Sequence, residues 1–565
     1  MTMTSKQKKP IASRILMIAA LSAITMTAIS ATRSNKSVIS RNLDIFNSIY
    51  KELQTNYVDT IDAEKSINTA IDAMLNQIDP YTEYIPANKQ DEFATMTTGE
   101  YGGMGSYIVE RPGKGVIISE PQEGSPAHLA GLRAGDLIMK IDTTDVTKWH
   151  SDKVSERLKG QAGTKMTLTI KRPYDNDSIK TIDIIRRKIQ VPAVPYYGVQ
   201  RGNIGYIELT SFTDKAAQEV RDAVIQLKKN PEVKSIILDL TGNGGGLMEA
   251  AVKIVGIFVP KGTEVLRTRG KGLLNEKVYK TTQPPVDTEI PLAVLIDGSS
   301  ASSSEIVAGS LQDLDRAVII GSRSYGKGLV QSTRQLPYDG LLKVTVAKYY
   351  IPSGRLIQAI DYSHRNPDGS VARIPDSLTT VFTTLHGRKV RDGGGITPDI
   401  TVEYAEYNRL LFNLIRNNWV FDYATKFTAS NSSIPPVKGF TITDSIFNDF
   451  KAFIDPEKFE YDKVCETMLS QLRDLAKNEG YMNDSIKAQF DILSGMLKHN
   501  LDHDLNHNRT TIERLLACEI TRRYYFHRGG QEEFLKRDEA LDSAAIVLND
   551  INRYNAILSP VKEDI

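Results

Sequence analysis

Apolar residues follow four different rhythms along the chain. From 37 to 98 they recur every three or four positions, as in Leu43, Ile45, Phe46, Ile49, Tyr50 and Leu53, which lays a stripe along a helix. Asp79-Pro80-Tyr81 interrupts this helical region, and Asn88 to Met96 resumes it. From 99 to 190 the pattern changes. Gly102, Gly103 and Gly105 precede short apolar runs at 115–118, 137–141 and 166–170, which have the length and composition of strands. Ser125-Pro126-Ala127 opens a short helix that Gly131 ends. Pro192 and Pro195 mark a linker.

From 191 to 403 the two patterns alternate. Strands are predicted at 204–209, 236–240, 292–296 and 318–320, and helices at 216–229 and 248–258. Such alternation predicts an α/β layered core. From 404 to 565 the chain reads as helical, with helices over 446–453, 461–478 and 510–525. Leu410, Leu411, Leu414 and Ile415 recur there at helical spacing, which suits either packing on the core or a surface for an oligomer or an adaptor. The predicted fold class is multidomain α/β. A helical N-terminal region is followed by a β-rich domain, an α/β core and a helical C-terminal region.

Charge narrows the function. Lys and Arg total 70 against 69 Asp and Glu, so the basic excess expected of a nucleic-acid binder is missing. The two cysteines, Cys465 and Cys518, cannot build a Cys-rich zinc module. The eight histidines are scattered without HExxH spacing, and neither a metal nor a cofactor is expected. Lys6, Lys8, Lys9 and Arg14 precede an apolar run from Ile15 to Ile29. A bilayer crossing takes about 20 apolar residues, so this run is short for one. With the small-x-small triplet Ala28-Ile29-Ser30, residues 1–31 read as a secretory signal peptide, an uncleaved anchor being the alternative. The expected location is exported, periplasmic or anchored to the membrane facing outward. Export permits a Cys465–Cys518 disulfide without requiring it.

Candidate chemistry lies between residues 297 and 331. Asp297-Gly298-Ser299-Ser300-Ala301-Ser302-Ser303-Ser304-Glu305 sits between a buried strand and an amphipathic helix. Ser302 and Glu305 have capping-box spacing, which by itself closes a helix N-terminus and requires no catalysis. Downstream, Lys327 stands between Gly326 and Gly328. Glycines let backbones approach closely and strip away side-chain cover. A lysine acts as a base only when neutral, and desolvation favours that form. The alternative phosphate-loop reading fails, because Gly328 occupies the position that needs Ser or Thr.

Ser-Ala-Ser-Ser-Ser-Glu-Ile-Val-Ala-Gly at 300–309 and Gly-Lys-Gly-x-x-Gln at 326–331 resemble the signature of the C-terminal processing peptidases, or tail-specific proteases. The resemblance spans most of residues 37–400. It implies Ser302 as nucleophile, Lys327 as base and Gln331, read as one helical turn further on, as the residue that orients the lysine. Asp239-Leu240-x-x-Asn243-x-Gly245-Gly246 resembles the family loop that supplies an oxyanion-hole amide, implying the backbone N–H groups of Gly245 and Ser303 as donors. Gly102-Gly103-Met104-Gly105 resembles the carboxylate-binding loop of a PDZ domain, with Ile108 beside it, and 123–136 fits the body of that domain. Arg133 lies in a PDZ segment that some members use to couple tail binding to activation; a solvated surface residue is the alternative. Two positions depart from the family pattern, Thr241 in place of Arg and Asp297 in place of Asn.

The domains expected on this basis are a signal peptide or anchor (1–31), a helical region (37–98), a PDZ domain (99–190), a crotonase-like α/β peptidase core (191–403) and a helical region (404–565). The implied activity is a serine endopeptidase that cleaves exported proteins near their C-termini. Its partners would be proteins or peptides with exposed C-terminal tails, with an adaptor or a homo-oligomer as further partners and no nucleic acid. A non-catalytic PDZ adaptor and an acyl-CoA enzyme are the alternatives, distinguished by serine-probe labelling and by coenzyme A binding.

Overall fold

The computed structural model describes residues 37–559 apart from 177, 273–275, 363–364, 367–369 and 405–406. The signal-peptide reading of 1–31 lies outside the described residues. The chain divides into two units, Met1–Tyr84 and Ile85–Ile565. In the first, α1 (37–56) and α2 (Ala63–Asn76) carry the helical stripe. Asp62 caps α2 by accepting the Lys65 N–H at 3.0 Å. The break at Asp79 is a turn in which Asp79 Oδ1 accepts the N–H groups of Tyr81 and Thr82 at 2.8 and 2.7 Å.

The second unit opens with α3 (Gln90–Thr98), ended by Gly99 in the left-handed conformation. A β-rich domain follows. Its strands β1 (Glu100–Gly103), β2 (Ser106–Arg111), β3 (Gly115–Pro121), β4 (Leu137–Ile141), β5 (Lys165–Lys171), β6 (Ile179–Ile185) and β7 (Arg187–Gln190) include all three runs seen in the sequence. β2 to β6 form one antiparallel sheet in chain order, and β1 pairs with β7. Met166, Leu168 and Ile170 alternate inward on β5 with Thr167 and Thr169 between them. α4 (Pro126–Leu129) and α5 (Ser151–Leu158) complete the domain.

The core sheet runs β8 (Tyr196–Gln200), β9 (Ile204–Glu208), β10 (Ser235–Asp239), β13 (Leu292–Ile296), β14 (Val318–Gly321) and β17 (Ile400–Thr401). β8 is antiparallel to β9 and the other neighbours are parallel. β11 (Glu264–Gly270), β12 (Glu276–Lys280), β15 (Leu329–Gln335) and β16 (Leu341–Tyr350) belong to a second sheet. Both faces of the core sheet are covered at its centre, which is why the inner strands β10, β13 and β14 are buried along their whole length. Ile236, Leu238, Val294 and Ile319 point to α6 (Ala216–Lys228), α7 (Met248–Phe258) and α8 (Ser303–Asp313). Ile237, Ala293, Leu295 and Ile320 point the other way.

The cover on that second face comes from the far end of the chain. Beyond 404 come α9 (Arg409–Arg416), α10 (Trp419–Ser430), α11 (Asp444–Phe453), α12 (Val464–Asn478), α13 (Asp484–Met496), α14 (Leu501–His507), α15 (Arg509–Phe534), α16 (Glu539–Leu548) and α17 (Ile551–Leu558). Leu541, Ala544 and Val547 of α16 and Tyr554 of α17 pack against Tyr206, Ile237 and Leu295. Cutting the chain after 404 would therefore bare one face of the core sheet. Leu410, Leu411 and Leu414 are buried with Tyr423, Phe447, Phe450 and Leu516. Of the four positions weighed as an interface, these three are internal packing and only Ile415 is exposed. α15 extends well past 525 and is broken at Tyr525 and Phe526, where the backbone leaves helical angles. Cys465 and Cys518 are both free thiols, so the disulfide that export would permit is not formed.

Candidate active site

The serine run occupies the turn from β13 into α8, and its hydroxyls are not equivalent. Ser300 Oγ donates to Leu240 C=O at 2.8 Å, Ser303 Oγ to Gly246 C=O at 2.9 Å and Ser304 Oγ to Asn243 C=O at 2.8 Å. These three buried serines stitch the turn to the glycine-rich loop after β10. Ser302 remains half-buried at the N-terminus of α8. Its backbone is at φ 57°, ψ −111°, a region that L-residues avoid. A strained strand-to-helix turn that presents a serine is a known way to expose a nucleophile.

Gly245 (φ 100°) lies directly over this turn. A Cβ there would sit 2.7 Å from Ala301 O, 2.9 Å from Ser302 Cβ and 3.0 Å from Ser303 N, so only glycine permits the approach. Gly245 N–H donates to Asn243 Oδ1 at 2.9 Å. It can serve an oxyanion only by leaving that side chain. Ser303 N–H is among the first amides of α8 and points out of the helix end. Asp297, one of the two departures from the family pattern, gathers the loops: its Oδ1 accepts from the N–H groups of Gly242, Ser299 and Ser300 at 3.1, 2.9 and 3.0 Å. Thr241, the other, donates its N–H to Asp239 Oδ1 at 2.8 Å.

Lys327 lies between β14 and β15 on an irregular segment clamped by its glycines. A Cβ on Gly326 would come 2.3 Å from Ala359 Cβ, and one on Gly328 2.8 Å from Gln358 N. Close approach is thus what both glycines provide. Gln331 does not follow by a helical turn. It sits on β15, whose pairing with β16 the local sequence does not reveal, and its amide donates to Thr345 Oγ1 at 3.3 Å.

Two buried residues join the serine and lysine segments. Glu305 Oε2 accepts the N–H of Ser302 at 2.8 Å and the N–H of Lys327 at 2.9 Å. Its Oε1 accepts from Gly326 N–H at 2.6 Å and from Ser324 Oγ at 2.5 Å. Tyr349 Oη, on β16, lies 2.9 Å from Lys327 C=O and 3.2 Å from Ser302 C=O. Burial pushes the Tyr349 phenol well above its ordinary range, so it remains a donor, and burial also raises the Glu305 carboxyl against the pull of its four donors. Sequence reasoning placed Glu305 only as a helix cap and did not find Tyr349. For the first, the sequence offered only its capping-box spacing from Ser302, and its burial is seen only in the fold. The second had no signal, because its contacts depend on a hairpin built far along the chain.

Below the glycine loop, Asp239 is buried at the end of β10, where Tyr206 Oη donates to its Oδ2. Burial pushes this carboxyl up to about 7, outweighing the hydrogen bonds from Tyr206 and Thr241. A carboxyl raised on folding favours the fold at low pH, and that stability is lost as pH climbs from about 4 towards 7. Asp239→Asn keeps the shape and cannot ionise. It is expected to raise the melting temperature at pH 8 and much less at pH 5, with at most roughly 4 kcal/mol at stake. Thermal denaturation at the two pH values checks this; equal shifts at both would refute it.

In the β-rich domain, a small cavity is lined by Gly103, Met104, Gly105, Ile108, Leu158 and Lys159, among others. Three of the four glycine-loop residues selected from the sequence border it. Gly102 stands just outside, its C=O accepting from Gly160 N–H at 3.0 Å, which ties the loop to the end of α5. Gly105 (φ 74°) leaves no room for a Cβ, which would meet Ser125 Cβ at 2.5 Å. Arg133 is exposed.

Three family models match the chain: Peptidase family S41 over residues 203–363, PDZ domain over 117–172, and the C-terminal helical domain of a probable PDZ-protease over 410–548. A carboxy-terminal-processing protease of Bartonella bacilliformis is 37% identical over 372 residues, 65% of this chain and 84% of that one. A probable CtpA-like serine protease of Staphylococcus aureus is 29% identical over 454 residues, 80% of each chain. Among solved structures, the photosystem II D1 C-terminal processing protease aligns at 25% identity with a TM-score of 0.35, covering 62% of this chain and 85% of that one. By its identity and coverage with the Bartonella relative and by the segments its family models match, this chain belongs to the carboxy-terminal-processing proteases of peptidase family S41, serine peptidases that carry a PDZ domain.

Proposed function

We propose that this peptidase is exported and cleaves proteins near their C-termini with a Ser302–Lys327 dyad. The observation that carries the reading is one carboxylate oxygen, Glu305 Oε2, that accepts the N–H groups of both residues and so holds their backbones side by side. Neutral Lys327 takes the proton of Ser302 Oγ, and the serine oxygen attacks the peptide carbonyl. The Ser303 N–H, joined by that of Gly245 once released from Asn243, stabilises the tetrahedral oxyanion, a contribution of roughly 3–4 kcal/mol per donor. Lys327 then protonates the leaving amine, and water hydrolyses the acyl-enzyme. A base that must be neutral makes activity rise with pH. A serine-reactive phosphonate should attach at Ser302, read by peptide mass spectrometry; labelling elsewhere with Ser302 unmodified would reject the dyad.

The cavity bordered by Gly103, Met104, Gly105 and Ile108 supports recognition of the substrate tail. Backbone amides of a glycine loop suit a free carboxylate, and Met104, Ile108 and Leu158 suit an apolar last side chain. Lys159 adds a positive charge at the same cavity. Amidating the substrate C-terminus is expected to slow cleavage by about 10-fold or more, the usual weight of a charge-assisted hydrogen bond. An aspartate as last residue should do the same by placing a charge among apolar groups. Three versions of one folded carrier, ending in a free acid, an amide or Asp, provide the comparison. Equal cleavage rates would mean that this cavity does not select tails.

A further inference from the structure

α10 of the C-terminal region lies over the PDZ sheet, on the face turned away from that domain's own core. Val116, Ile118, Ile138 and Ile170 point into the core, so Ile117, Leu137 and Lys171 alternate to the outside. These three stand side by side, because Ile117 pairs with Leu137 and Leu137 with Lys171. Arg111 pairs with Gly115, two positions before Ile117, and so belongs to the same face. At one rim the helix fits tightly, since a Cβ on Gly135 would lie 2.6 Å from Thr425 Cγ2. Beyond that rim a cavity of 370 Å³ separates sheet from helix, in the size range of small-molecule sites. It shares no lining residue with the smaller cavity at the glycine loop. Its walls are apolar at Ile117, Leu137 and Pro173, with Tyr174 beside them. Charge gathers on Asp422, which lies 3.0 Å from Arg111 Nη2 and 3.8 Å from Lys114 Nζ. Lys171 brings a third cation to the lining. Arg111 is only 6% exposed, and its buried Nε finds no acceptor among the described residues. A buried donor left unused in this way asks for an explanation.

We propose that this cavity binds a phosphate monoester of a small apolar or aromatic group, held between the PDZ domain and α10. Three features select this class. Arg111, Lys114 and Lys171 face a single carboxylate, and a dianion added to that carboxylate balances the three cations. Arg111 and Lys114 converge on one point, Asp422, so a compact anion meets both, whereas a dicarboxylate would spread its charge. The wall of Ile117, Leu137 and Pro173 receives the organic part of the ester, which inorganic phosphate lacks. The ester competes with Asp422 for two of the cations, and the third favours the ester. Because the cavity is walled by strands of the PDZ domain on one side and by α10 on the other, the bound ester fastens the two together. A soluble ester and the headgroup of phosphatidic acid carry the same chemistry. The site is independent of the proteolytic reading.

Calorimetric titration of the full chain with phenyl phosphate tests it, wild type beside the double variant Lys114→Gln/Lys171→Gln. The wild type is expected to bind one equivalent with a dissociation constant below about 1 mM, and the variant at least about 10-fold more weakly with unchanged circular dichroism. Inorganic phosphate, which lacks the ring, is expected to bind the wild type at least about five-fold more weakly than the ester. No saturable binding by the wild type, equal affinity in the folded variant, or inorganic phosphate held as tightly as the ester overturns the proposal. A second readout needs no variant. Acylation of Lys114 and Lys171 by an N-hydroxysuccinimide ester, followed at their peptides, should slow at least about three-fold at saturating phenyl phosphate. Unchanged acylation of both lysines overturns the proposal whatever the double variant does. Co-sedimentation with phosphatidylcholine vesicles that contain phosphatidic acid, reversed by phenyl phosphate, assigns the lipid headgroup as the source of the ester; phenyl phosphate binding without co-sedimentation assigns a soluble one.

Discussion

Ser302→Ala and Lys327→Ala are each expected to lower kcat/KM on a tailed protein substrate by about 10⁴-fold or more, and the double variant by little beyond either single one. A nucleophile and its base act as one unit, so losing either loses the unit. The fold should survive both changes. Ser302 contributes to the clamp through its N–H and C=O, which alanine retains, and Lys327 likewise. Steady-state cleavage with circular dichroism on the same preparations separates loss of chemistry from loss of structure. Turnover by folded Ser302→Ala above a tenth of wild type would end the assignment, and strictly additive losses in the double variant would show that the two residues do not work together.

Glu305→Ala should damage both stability and rate. It leaves two buried segments without the acceptor for three N–H groups and one hydroxyl, Ser302, Gly326, Lys327 and Ser324. Orphaned buried donors cost about 1–3 kcal/mol each, and partial relaxation brings the expected loss to about 3–5 kcal/mol. A change of geometry near an ångström between nucleophile and base is worth about 100-fold in rate. Glu305→Gln keeps one oxygen acceptor and turns an NH₂ group towards donors, so it should fall between alanine and wild type on both scales. Denaturant unfolding and kcat/KM measured together provide the check. A Glu305→Ala variant as stable as wild type would show that the carboxylate does not clamp these segments, and one that loses stability but retains full activity would confine Glu305 to the fold.

Much of this arrangement could be read from residues near each other in the chain. The runs at 248–258 and 292–296 match their elements, because a buried strand or helix leaves a continuous local apolar signal. Ser302, Lys327 and Gly245 were marked by motifs whose glycines proved to be sites of close backbone approach. What escaped was non-local. Gln331 was read through helical spacing, yet it belongs to a strand whose partner, 341–350, is chosen by pairing rather than by local preference. Tyr349 reaches the site only because that hairpin folds over it. The helices that cover the second face of the core sheet lie more than two hundred residues beyond most of the strands they cover, and nothing in their own periodicity names that sheet. Glu305 was visible as a cap, but its link to the lysine segment requires the chain to return after 21 residues.

The backbone of Ser302 has a consequence for anyone who alters this enzyme. Its angles, φ 57° and ψ −111°, suit glycine and burden serine by about 1–3 kcal/mol. Glycine at 302 would relax the turn and also discard the hydroxyl on which the proposed chemistry rests. Heat resistance and turnover therefore pull in opposite directions at this one codon. A directed-evolution campaign scored only on survival at high temperature would be rewarded for deleting the nucleophile, so the selection has to include cleavage in every round.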